Sequence, residues 1–80
     1  MLTSYIEAAM RHATYEVLPD DHSYYGEIPE CEGVWANGPT RTACESDLRG
    51  ALEAWLLFSL ERQLPIPVIN GIELRMKQAA

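Results

Sequence analysis

Positive charge is scarce in this chain, cysteine nearly absent, and no long apolar run occurs. Six Lys and Arg stand against twelve Asp and Glu, a formal net charge of −6. Phosphate binding depends on a basic surface that displaces counterions, so this balance argues against direct nucleic-acid contact. The longest apolar run, Ala54 to Phe58, falls far short of the roughly 18 residues a membrane helix needs. No basic segment followed by an apolar block opens the chain, so no secretory signal is expected and the expected location is cytoplasmic. The two cysteines, Cys31 and Cys44, form no C-x-x-C pair, which removes the spacing that zinc or dithiol chemistry requires. Both read as reduced thiols with an apolar packing role. No glycine-rich phosphate loop is present: Gly26, Gly33 and Gly38 stand singly at strand and turn positions.

Catalytic groups are equally sparse. A nucleophilic mechanism needs Cys or Ser, His and an orienting acid in one pocket. The candidates Cys31, Cys44, His12 and His22 have plainer readings: the thiols as packing residues, His12 at a helix end, His22 in a polar turn. Glu16 and Glu27 could face each other across adjacent strands, but nothing lines up as a third and fourth ligand for a two-metal nuclease. The chain therefore reads as non-enzymatic, with no cofactor and no metal expected.

What is present is a small globular domain. Its 80 residues leave room for one core, and an apolar fraction of 48% argues against disorder. A domain of this size buries only roughly 60% of its unfolded surface, so oligomerisation is a common source of added stability. The acids are unevenly placed. No Lys or Arg lies between Arg11 and Arg41, while Glu16, Asp20, Asp21, Glu27, Glu30 and Glu32 all do. One part of the fold is therefore strongly negative, which suits a basic partner; a solvated acidic surface is the alternative.

Apolar periodicity orders the elements. Leu2, Ile6, Ala9, Met10 and Ala13 hold helical spacing, and Ser4 with Glu7 matches a capping box, predicting a helix over 3–12. Three strands follow within 14–38, at Thr14 to Leu18, Tyr24 to Ile28 and Gly33 to Asn37, separated by Pro19-Asp20-Asp21 and by Pro29. Their short connections imply an antiparallel meander. Thr40 is the natural N-cap of a long helix over 40–63, whose apolar positions Cys44, Leu48, Ala51, Leu52 and Trp55 would cover one sheet face. Arg41, Glu45, Arg49 and Glu53 form an alternating i, i+4 charge ladder along it. Ile72, Leu74 and Met76 alternate with charges, predicting a strand over 71–77, parallel to the third after a right-handed crossover.

The long helix has more apolar side chains than one face needs. Leu57 falls opposite the main stripe, with Leu56, Leu60 and Leu64 on the flank between. These four are the candidate oligomer interface, a dimer or tetramer; a helix end wedged under the first helix is the alternative.

The stretch Tyr24-Tyr25-Gly26-Glu27-Ile28-Pro29-Glu30-Cys31-Glu32-Gly33-Val34-Trp35-Ala36-Asn37-Gly38-Pro39-Thr40 resembles the core signature of the HicB antitoxin family. The Ala- and Leu-rich helix with Trp55 and the exit Leu64-Pro65-Ile66-Pro67 resemble the family too. The resemblance covers roughly residues 14–76. It implies a partly degraded ribonuclease H-like fold, while length and periodicity predict an α+β order α-β-β-β-α-β in a single domain spanning 1–80, its N-terminal helix an addition to the family pattern. It also implies a partner: a small basic, HicA-like toxin that cleaves mRNA with a histidine and is neutralised by being covered. The expected toxin contacts are Asp20, Asp21, Glu27, Glu30 and Glu32. Many family members carry a C-terminal DNA-binding domain, none is expected within these 80 residues, and Ala43 stands where an acid usually completes the cap with Thr40.

Overall fold

A computed structural model describes residues 2–74. The elements run α1 (Leu2–Arg11), β1 (Thr14–Val17), β2 (Tyr24–Glu27), β3 (Trp35–Gly38) and α2 (Arg41–Glu61). The strands form an antiparallel sheet in the order β1-β2-β3, with Gly26 opposite both Tyr15 and Ala36. The molecule is α+β, and α2 lies across one face of the sheet. Cys44, Leu48, Leu52 and Leu56, each one helical turn after the last, are the buried line of α2.

Close approach of α2 to the sheet depends on what β2 and β3 lack. A Cβ on Gly38 would lie 2.7 Å from the backbone nitrogen of Cys44, and one on Gly26 would lie 2.8 Å from the Tyr15 ring. Thr40 caps the helix as expected, its hydroxyl accepting from the Ala43 amide at 3.1 Å. The Cys44 thiol donates to the Ala36 carbonyl at 3.6 Å, and burial pushes both cysteine thiols up from their ordinary pKa. In the loop after β2, Ile28, Cys31 and Val34 are all buried and tied by backbone hydrogen bonds, plugging that end of the core.

Three local expectations change. α1 begins at Leu2, so Ser4 lies inside its first turn rather than at a cap, and the Ser4–Glu7 capping box is displaced. The buried face of α1 is Tyr5, Ile6, Ala8 and Ala9, with the Tyr5 hydroxyl donating to the Pro67 carbonyl at 2.5 Å. Of the α2 charge ladder only Arg49–Glu53 forms, at 3.7 Å; Arg41 lies over the Tyr15 ring instead, 4.5 Å from its centroid. As for the expected fourth strand, positions 75–77 lie outside the described residues, and Ile69 and Ile72 pair in a tight antiparallel bridge around Asn70 and Gly71.

Candidate protein-binding face

Successive strand residues alternate between two faces, so the three strands that pack Gly26, Ala36 and Gly38 against α2 present a second set of side chains outward. That set is Thr14 and Glu16 from β1, Tyr25 and Glu27 from β2, and Trp35 and Asn37 from β3. The register places Glu16 opposite Tyr25 and then Asn37, with Thr14 opposite Glu27 and then Trp35. Glu16 and Glu27 thus share the face diagonally rather than facing each other directly. Among the described residues no cluster of three or more metal-ligating side chains occurs.

The aromatic pair holds its place by stacking. The Tyr25 and Trp35 rings lie with centroids 6.0 Å apart and planes inclined by 23°. The Tyr25 hydroxyl donates to Glu27 Oε1 at 3.1 Å. Partial desolvation and this bond to a carboxylate raise the tyrosine pKa. Trp35 nonetheless stays 56% exposed. A shallow recess of about 180 Å³ lies among Thr14, Tyr15, Glu16, Tyr25 and Glu27.

The expected contact acids are not gathered in one place. Asp20 and Asp21 sit in the β1–β2 turn, at one end of the sheet. Glu30 and Glu32 sit in the β2–β3 loop at the other, with Glu27 on the outer face beside them. A four-residue strand, about 13 Å at roughly 3.3 Å per residue, separates the two ends. Asp21 is oriented by its own turn: its carboxylate accepts from the Ser23 amide at 3.1 Å, and the Ser23 side chain first and this amide second lower its pKa. Asn37 in turn donates to the Ser23 hydroxyl at 3.0 Å and the Tyr24 carbonyl at 2.8 Å, fixing the turn to the sheet.

Glu30 is engaged within the fold. His12 Nδ1 and Glu30 Oε2 lie 2.6 Å apart, and His12 Nε2 meets Asn70 Oδ1 at 3.1 Å. The carboxylate raises the histidine pKa and the histidine lowers that of Glu30. One imidazole thereby joins the end of α1, the β2–β3 loop and the turn at Asn70.

The expected oligomer leucines also divide. Leu56 is buried in the core, while Leu57 is 62% exposed and Leu64 also faces solvent. Leu57 and Leu60 line an apolar groove of about 260 Å³ with Leu2, Ile6, Glu53 and Leu56, between α1 and the second half of α2.

The sequence singled out the acids but not the Tyr25–Trp35 pair between them. The signal was available: Gly26 inside β2 marks the inward side, so the residues flanking it must point outward.

The profile of a protein family described as UPF0150-like matches residues 4–67 of this chain. Among solved structures, the crystal structure of TTHA0281 from Thermus thermophilus is similar at 44% identity and a TM-score of 0.89. That alignment covers 96% of this chain and 95% of the other. No curated protein matches.

Proposed function

The chain belongs to the UPF0150-like family, and on that premise we propose that it is an antitoxin-like protein, one that binds and covers a small basic partner. The observation that carries this reading is the one-sided charge: no Lys or Arg lies between Arg11 and Arg41, and the acids of that interval lie on the turns and on the outer sheet face, which no described element covers. The resemblance of residues 14–76 to the HicB family supports the finer version. In it the partner is a HicA-like mRNA-cleaving toxin of a type II toxin-antitoxin pair in the cytoplasm. The domain is then a reduced ribonuclease H-like fold. Catalysis belongs to the partner, and this chain acts as a non-enzymatic cover without cofactor or metal.

Co-expression with the small basic protein encoded beside this gene tests the reading. A complex on size-exclusion chromatography and rescue of growth are the expected results; absence of both overturns it. Replacing Asp20 and Asp21 together with Lys weakens the complex and flattens its salt dependence, because two favourable charges become repulsive.

A second reading, a homo-oligomer of the same fold without a toxin, draws on the apolar groove between α1 and α2. Leu57→Glu then shifts the elution toward smaller species; an unchanged profile removes Leu57 from any such interface.

A further inference from the structure

On the outer sheet face the register makes a chequerboard. Tyr25 lies beside Glu16 across the strands and beside Glu27 along its own, and Trp35 lies beside Glu27. Adjacent strands are about 4.8 Å apart, so each ring has a carboxylate within the span of one guanidinium. No cation of the described residues pairs with Glu16 or Glu27.

The fold's own arginines show how other rings are covered. Arg41 lies 4.5 Å from the Tyr15 centroid and Arg62 lies 4.6 Å from that of Phe58. The Tyr25–Trp35 pair carries no such cover among the described residues, although Trp35 is exposed, Tyr25 is half-buried and carboxylates flank both.

We infer that this face, Glu16, Tyr25, Glu27 and Trp35, is a platform for arginine side chains of a basic protein segment. The inference rests on the basic-partner reading and names the chemistry by which that partner is held. A guanidinium can lie flat on an indole or phenol ring while its edge N–H groups donate to a carboxylate beside it. An ammonium cannot satisfy both at once with comparable geometry, so the face discriminates arginine from lysine. Nucleic acid is disfavoured as an occupant by the same two carboxylates.

Isothermal titration with two synthetic peptides tests this, one of arginines spaced by serines and the other with lysine at every arginine. The full chain binds the arginine peptide about threefold or more tighter, the effect of a ring–guanidinium contact at an exposed site. Trp35→Thr, which keeps a strand-forming residue, removes that preference without changing the circular dichroism spectrum. Tyr25→Phe keeps the ring and keeps the preference. Glu16→Gln with Glu27→Gln weakens binding of both peptides. Equal affinity for the two peptides, no binding of either, or a preference that survives Trp35→Thr overturns the platform. So does a change in sedimentation of the free protein on Trp35→Thr, which would mean that a second copy covers the face. The peptides contain no toxin, so failure here is distinct from failure of the co-expression rescue.

Discussion

Within the four residues of β2, Gly26 faces α2 while Tyr25 and Glu27 face away from it, and the two sides are built on opposite terms. The inner side is small and close. Gly26, Ala36, Gly38 and Cys44 let a helix settle onto the strands, and the buried line of Leu48, Leu52 and Leu56 completes the core. The outer side is large, aromatic and charged, and no described element covers it. A sheet half-covered in this way has one face that determines stability and another largely free to serve a partner. A side chain at Gly26 or Gly38 would lift the helix, whereas charge on the outer face costs the fold almost nothing.

Breaking the inner face should have the largest effect. Leu52 is fully buried, and Leu52→Ala should lower stability by about 2–5 kcal/mol in chemical denaturation. A domain of this length holds only about 4–12 kcal/mol in all, so a substantial unfolded population at physiological temperature is expected. Gly38→Ala comes next, because its Cβ would lie 2.7 Å from helix backbone and force α2 to shift. Overpacking of this kind costs about 1–3 kcal/mol, and a shift of the Cys44 amide resonance should accompany it. The outer face should respond much less. Glu16→Gln with Glu27→Gln should move stability by no more than about 0.5 kcal/mol, toward greater stability, since two like charges on one face are removed. A loss comparable to that of Leu52→Ala would show the two faces to be less different than their packing implies.

The smallest effect should come from pH. His12 has a raised pKa, so its contribution is complete below the ordinary histidine value and is lost as pH rises through the raised one. Glu30 has a lowered pKa, so its contribution is present above the ordinary glutamate value and is lost as pH falls through the lowered one. The contact is therefore strongest in mildly acidic solution, between those two limits. The melting temperature should be slightly higher there than at pH 8, and His12→Ala should abolish the difference. Both groups are solvent-accessible, which keeps the effect small.

Much of the scaffold was legible from the chain. The Thr40 cap, the four-residue rhythm of Cys44, Leu48, Leu52 and Leu56, and the turn at Pro19-Asp20-Asp21 are local signals, and the structure carries all three. What escaped was settled by contacts between distant segments. The stacking of Tyr25 on Trp35 depends on strand register, and the capture of Glu30 by His12 joins a helix end to a loop 18 positions away. Arg41 had two uses available, a weak ion pair with Glu45 or the face of Tyr15, and only tertiary packing brought the ring within reach. Counting acids likewise gave the sign of the candidate surface but not its division between the two ends of the sheet.

The hydroxyl of Tyr5 and the carbonyl of Pro67 meet across 62 positions of sequence. A contact of that span can close only after the meander and α2 have brought α1 and the segment beyond α2 together. In kinetic terms it belongs to the far side of the folding barrier. Its loss in Tyr5→Phe should therefore appear in the unfolding limb of a chevron and leave the refolding limb in place. The bond does little to guide the chain toward its fold; it governs how long the finished fold stays closed.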